Sequence, residues 1–207
     1  MLLSYGLDRR WKRRVVRMAG LGRDERLLDL ATGTGDLAFL GAEQCGSVVG
    51  LDVTWRMLEL ASGKRRGAAP RFVAGDMLDL PFAAGSFDVV TTGYGIRNVP
   101  DLGRALDEVA RVLRPGGRFF SLDFDRPGNR ILWAVYFGYL TVVGSALGLV
   151  LHRDADAYRY IPESLRGYPG SRQVAHLLER RGFEDVGVVP VLGGLMAIHH
   201  ARKRKGV

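Results

Sequence analysis

RLLDLATGTGDLAFLGAEQCGSVVGLD, residues Arg26 to Asp52, is the stretch on which the fold turns. Leu27, Leu28 and Leu30 form an apolar run ending in Gly33-Thr34-Gly35; a helical pattern over Asp36 to Cys45 follows; Val48, Val49 and Leu51 form a second apolar run ending in Asp52. The order is strand, glycine turn, helix, strand, acid. A carboxylate at the end of the second strand of such a unit can accept hydrogen bonds from both hydroxyls of a ribose, so the adenosine end of some ligand is the first expectation. The turn does not choose the ligand. Gly33, Gly35 and Ala38 also satisfy the looser dinucleotide pattern G-x-G-x-x-G/A, and a tight turn needing positive φ uses the same glycines with no ligand near.

Working outward, Tyr5 to Ala19 carries Leu7, Trp11, Val15 and Met18 as an apolar stripe among arginines, an amphipathic helix that packs on the domain or on a membrane surface. Thr54 is the expected N-cap of TWRMLELASG, with Gly63 at its end. RFVAGD is a short strand stopping at Asp76, and FDVVTTGYG a fourth strand opening into a loop in which Gly93 and Gly95 allow close backbone approach. Asp101 to Leu113 reads as a helix with Leu102, Leu106, Val109 and Leu113 on one side, ended by Arg114-Pro115-Gly116-Gly117, and RFFSLDF is a fifth strand. Strands and helices in this alternation imply a parallel sheet covered on both faces. After a helix from Ser171 to Arg181, EDVGVVPVL and LMAIHHARK join through Gly193-Gly194 as an antiparallel hairpin at the sheet edge.

The chain has 207 residues, 47% of them hydrophobic, enough to bury the core of one domain. A net charge of +8 implies anionic partners. The excess lies near the start (Arg9, Arg10, Lys12, Arg13, Arg14, Arg17), in one loop (Lys64, Arg65, Arg66) and at the finish (Arg202, Lys203, Arg204, Lys205), where solvated faces or tails explain it equally well. The single cysteine, Cys45, excludes an internal disulfide, fits a reducing compartment and is expected to pack in the first helix of the nucleotide unit. No signal peptide, internal repeat or metal-ligand spacing appears, and His152 and His176 are expected at the surface or on helices. Ile131 to Leu151 carries no formal charge, as a membrane span would. Its position directly after a strand, and Gly138, Gly144, Ser145 and Gly148 within it, favour a substrate-facing helical pair.

In an open parallel sheet, ligands lie over the carboxyl ends of the strands. Asp52 and Asp76 are placed there, whereas Asp88 starts its strand and is assigned to a loop or cap. Asp52 would take the ribose, and Asp76 with the backbone of Met77 the adenine edge. Without a phosphate-reading lysine, and with a terminal antiparallel hairpin, S-adenosylmethionine is favoured over ATP or a dinucleotide.

DLATGTGD, GDMLDLPFAAGSFDVV, GYGIRNVPDLGRALDEVARVLRPGGRFFSLDF and DADAYRYIPESLRGYPG together resemble the S-adenosylmethionine-dependent C-methyltransferases of menaquinone and ubiquinone biosynthesis. The likeness runs from about Leu3 to Lys203, and GIRNV with DADAYRYIPESL is far more specific than the glycine turn. It implies an α/β, Rossmann-like class I methyltransferase: a three-layer sandwich with a seven-stranded, mostly parallel sheet and a C-terminal antiparallel hairpin. The whole of 1–207 would be one domain, with 126–170 as a substrate-side insertion after the fifth strand. Gly33, Thr34 and Gly35 would bind the cofactor, Thr34 touching its methionine part, with Asp52 on the ribose and Asp76 and Met77 on the adenine. Gly93 stands where the family usually has serine, so a cofactor contact there falls to backbone or is lost, and Thr32 replaces a usual glycine. Members usually carry a further segment containing Tyr-Asp ahead of LLSYGLDRRWKR, so either a later start or a shorter lid is expected here.

The implied reaction is methylation of a polyprenylated quinol ring, demethylmenaquinol first and 2-methoxy-6-polyprenyl-benzoquinol as the alternative. Arg97 would supply positive charge to a developing phenolate or hold a proton-accepting water, and Asn98 would orient either one; Arg97 itself stays protonated. Equally, Arg97 would form a salt bridge to Asp101 or Asp123. Asp123 is a candidate base, and Tyr158 and Tyr160 are candidate ring contacts or core aromatics. A lipid substrate explains basic ends and leads to the expectation of a cytoplasmic protein held peripherally at an anionic membrane surface. No nucleic acid is expected, and a homodimer is left open. Rival readings keep the fold with a small soluble substrate or RNA, or make the chain a non-catalytic cofactor-binding module.

Overall fold

The computed structural model describes residues 7–64, 70–125, 134–138, 164–165 and 167–206. Seven strands form one sheet: β1 (Arg26–Leu30), β2 (Ser47–Asp52), β3 (Arg71–Ala74), β4 (Phe87–Gly93), β5 (Leu113–Phe124), β6 (Phe183–Val191) and β7 (Met196–Lys203), in the order β3-β2-β1-β4-β5-β7-β6. The first five pair in parallel; β7 runs antiparallel to both β5 and β6. The hairpin is therefore as read, but β7 slots inside and β6 alone forms the edge.

Two helical layers cover the sheet because its strands alternate between two apolar faces. Leu27, Val89, Phe120 and Leu122 pack with Val15, Val16 and Ala19 of α1 (Leu7–Ala19) and Leu37 and Ala38 of α2 (Asp36–Ala42). Leu28, Leu30, Val90 and Phe119 pack with Leu106 and Val109 of α4 (Leu102–Val112) and Val174 and Leu178 of α5 (Ser171–Glu179). α3 (Trp55–Ser62) joins β2 to β3. Cys45 is buried just past the end of α2 and not inside it.

Local chemistry departs from the sequence reading in instructive places. Thr54 sits at the N-cap of α3 without bonding through its side chain, and its own N–H is taken by the Asp52 carboxylate at 2.8 Å. Asp101, by contrast, caps α4 by accepting from Arg104 N. Asp88 lies inside β4 and not in a loop or cap, and ties the amino-terminal ends of the central strands, accepting from Arg26 N at 2.7 Å and pairing with Arg114 at 2.6 Å. The C-terminal basic run is partly structural: Arg202 and Lys203 belong to β7, and Lys203 Nζ donates to the carbonyls of Ala110 and Leu113, where the last orphan carbonyls of α4 need a cation. Among the described residues no helix is long and apolar enough to cross a membrane. Most of Ile131 to Leu151, most of the insertion read over 126–170, and Tyr158, Tyr160 and His152 lie outside the described residues.

Candidate active site

β1 and β4 are neighbours at the centre of the sheet, and the strand order reverses between them, the place where doubly wound sheets bind ligands. Both strands end in strain. Ala31, directly after β1, has φ 49° and Tyr94, directly after β4, has φ 62°; each such left-handed L-residue costs about 1–2 kcal/mol. A cavity of about 110 Å³ opens between these turns, lined by Lys12, Asp29, Ala31, Thr32, Gly33, Thr34, Asp36, Leu37, Gly93 and Tyr94.

The glycine turn is shaped by need. Gly35 (φ 84°) begins α2, and a Cβ there would meet Phe39 at 2.9 Å and Phe72 at 3.0 Å, so only glycine fits. Gly33 (φ 55°) faces open space, leaving its backbone accessible to a ligand. Its N–H donates to Asp52 Oδ2 at 2.8 Å, while Asp52 Oδ1 takes the Thr54 N–H. Each carboxylate oxygen thus has one fixed donor and a further lone pair, the arrangement that a ribose diol requires. Val53, 75% exposed beside it, offers an apolar surface to an adenine ring. Asp76 is exposed in a tight turn, its Oδ1 accepting Leu78 N at 2.9 Å, with Met77 buried next to it. Beneath the cavity Asp29 is fully buried and accepts the hydroxyls of Thr32 (2.6 Å) and Thr91 (2.8 Å). Burial pushes its carboxyl up to about 6 against those hydrogen bonds. These groups fit an adenosine bearing a cationic tail: a paired carboxylate for the ribose, an apolar ledge, and acids around the narrow end.

On the other side of the cavity mouth, GIRNV forms a short 3-10 turn over Ile96–Asn98. Of the two ion-pair partners read for Arg97, the one present is Asp123: Nη1 lies 2.5 Å from Oδ1, both side chains almost wholly buried. Arg97 also donates from Nε to Ser164 Oγ at 3.0 Å and stacks over Phe124 at 4.8 Å. Burial raises the Asp123 pKa, opposed by Arg97 and by the N–H groups of Phe124 and Arg97. Asn98 is exposed, donating to Tyr94 O at 3.0 Å. Gly95 locks the two turns together, since a Cβ there would stand 2.6 Å from Thr92 Oγ1 and 2.7 Å from Ala31 Cβ. At Gly93 a Cβ would press on Leu37 Cδ1 at 3.0 Å, a side-chain end that can move.

Sequence reasoning passed over three groups. Lys12 is buried at the cavity and paired to Asp8 and Asp36; its spacing of four from Asp8 was the available signal. His199, fully buried in β7, bridges Ser121 Oγ (2.9 Å from Nδ1) and the Ser171 carbonyl (3.1 Å from Nε2), while Asp125 accepts from Ser171 N at 2.9 Å and from its hydroxyl. Since a carbonyl only accepts, Nε2 is the donor, and burial lowers the His199 pKa so that the ring is neutral. Tyr168 is buried, and its hydroxyl has no hydrogen-bond partner among the described residues. His176, as read, is an exposed helix residue beside Glu179.

Comparison with known proteins places the chain in a family. The demethylmenaquinone methyltransferase of Beutenbergia cavernae is 41% identical over 98% of this chain and 83% of its own. That of Thermus thermophilus is 42% identical over 96% of this chain and 91% of its own. The fold is shared with phosphoethanolamine N-methyltransferase 2 of Haemonchus contortus, solved with S-adenosyl-L-methionine, at a TM-score of 0.70 and 16% identity over 94% of this chain and 52% of that one. A profile of the ubiE/COQ5 methyltransferase family matches residues 1–203, nearly the whole chain. S-adenosylmethionine is accordingly the cofactor, and the chain belongs to the ubiE/COQ5 methyltransferase family.

Proposed function

We propose that this enzyme methylates a ring carbon of a polyprenylated quinol, demethylmenaquinol to menaquinol in the first place, with the benzoquinol of ubiquinone synthesis as the second reading. The observation that carries it is near-full-length likeness, at 41% and 42% identity, to relatives named demethylmenaquinone methyltransferase. Bound S-adenosylmethionine supplies an electrophilic methyl group. The chain has to hold an electron-rich carbon in line with that methyl and manage the hydroxyl proton as phenolate character develops.

Gly33, Thr34, Gly35, Gly93, Asp52, Asp76 and Met77 hold the donor. On the acceptor side Arg97 has its charge matched by Asp123, so its part is to fix the loop from Tyr94 to Asn98 in one position. Asn98, at the exposed end of that loop, is the group within reach of an acceptor hydroxyl. To act as a base, Asp123 has to release donors that already occupy its oxygens, so proton loss through the exposed Asn98 side is the simpler route. Tyr158, with the rest of 126–170, contributes the ring and prenyl contacts in this reading.

A prenylated acceptor also gives a use to the outer face of α1. Arg9, Arg10, Arg13 and Arg17 line a groove of about 640 Å³ against Leu40, Glu43 and Gln44 of the α2 region. That positive face suits the headgroups of an anionic membrane on its cytoplasmic side. The deciding experiment supplies demethylated menaquinol and the benzoquinol with methyl-labelled cofactor and asks which is methylated; RNA and soluble phenols serve as rivals, and labelling of neither quinol would overturn the proposal. Sedimentation with vesicles containing anionic phospholipid should be strong at low salt and lost at high salt.

A further inference from the structure

Lys12 reaches the cavity from α1, an element outside the strand, turn and helix that cradle the adenosine. It is 5% exposed, and a buried ammonium persists only with partners. Nζ donates to Asp8 Oδ2 at 2.8 Å and to Asp36 Oδ2 at 3.0 Å. Burial alone would lower its pKa; the two carboxylates more than offset this and the net shift is upward, so the charge is kept. An ammonium has three N–H donors. Two are engaged, and beyond the face of Tyr94, whose centroid is 5.7 Å away, the third has no partner among the described residues.

Charge decides what that donor is for. Asp29, Asp36 and Lys12 line the cavity, and Asp8 and Lys64 pair with Lys12 and Asp36 in turn; the five groups carry one net negative charge when all are ionised. S-adenosylmethionine brings a sulfonium, an ammonium and a carboxylate, one net positive charge. The acids can take the ammonium, but a carboxylate entering the same end needs a cation. Among the described residues Lys12 is the cation that lines the cavity; Lys64 is half exposed and does not line it, its Nζ being taken by Thr34 O and Asp36. We infer that Lys12 binds the carboxylate of the cofactor's amino-acid end, which makes α1 the element that reads the methionine part of the methyl donor. This rests on the assignment of S-adenosylmethionine as cofactor.

The test is calorimetric binding of two probes to the full chain: S-adenosylhomocysteine, and 5′-methylthioadenosine, which keeps the adenosine and sulfur but has no amino-acid end. Lys12→Met is expected to weaken S-adenosylhomocysteine by at least ~tenfold, the range of a lost charge-assisted hydrogen bond, and to leave methylthioadenosine within about twofold, the scatter of an exposed contact. Lys12→Arg, which keeps a cation, is expected to recover most of the loss. Equal weakening of both probes would make Lys12 a structural pin and overturn the inference, as would no weakening of either. If Lys12→Met leaves too much unpaired charge to fold, the Asp8→Asn/Lys12→Met double variant carries the same comparison. Failure of the unaltered chain to bind either probe would instead overturn the cofactor assignment.

Discussion

The proposed donor side of the site and the proposed acceptor side are built on opposite plans. Over β1 and β2, the decisive bonds join residues close in sequence through backbone: Gly33 N to Asp52 spans 19 positions and Thr54 N to Asp52 only two. Beside β4 and β5, Arg97 is fixed by side chains 26 and 67 positions away, Asp123 and Ser164, in a buried ion pair. The first plan makes a pocket whose shape follows from where glycine is required. The second makes a loop whose position depends on distant charges meeting, and it concentrates the energetic risk on a few atoms.

The largest expected effect tests that risk. Arg97→Leu leaves Asp123 buried and unpaired and should lower stability by about 3–5 kcal/mol in denaturant unfolding. An Arg97→Leu/Asp123→Leu variant should regain most of it while remaining poor in turnover; if it regains none, pairing is not what holds the acceptor side. The donor side should answer in the opposite direction. Asp29 has a folded pKa near 6, above its ordinary value of 3.8, so the stability gained from its protonated form is complete below about pH 4 and lost as pH rises through 6. Asp29→Asn should therefore gain on the unaltered chain between pH 4 and 7, by about 3 kcal/mol at the upper end, read from thermal unfolding at each pH; a gap that does not widen with pH would end the account.

Asp52→Ala should weaken S-adenosylhomocysteine by about 100-fold in calorimetry, since a buried carboxylate and its charge-assisted bonds are lost together. The fold should suffer far less than in Arg97→Leu; comparable unfolding would erase the contrast between the two sides. The smallest effect belongs to Gly93→Ser. The hydroxymethyl group only needs Leu37 to give by a few tenths of an ångström, and cofactor affinity should stay within about threefold, consistent with the cost of a mild overpacking.

The same contrast governs what could be read from the sequence. The strand, turn, strand and acid of residues 26–52 were legible because their spacing is local and glycine has few reasons to recur. Asp101 and Asp123 were equal partners for Arg97 on paper, and the topology chose, by placing β5 beside β4 and turning Asp101 to cap α4. The helix before β1 was found with its face slightly turned: the buried line runs through Asp8, Lys12, Val15, Val16 and Ala19. Hydropathy counts lysine as outward, and nothing local says that Asp36, 24 positions on, will meet it. His199 was missed for the same reason, its partner Ser121 lying 78 positions away.

Gly95 has a mechanical meaning. Thr92 belongs to β4, Ala31 ends β1, and the backbone of Gly95 fills the space between them so closely that no side chain can be admitted. The turn after β1 and the loop that carries Arg97 are therefore packed directly against each other across this seam. Any side chain placed at Gly95 would have to push the ends of β1 and β4 apart, so the spacing of those two turns is written into the chain by a single missing Cβ.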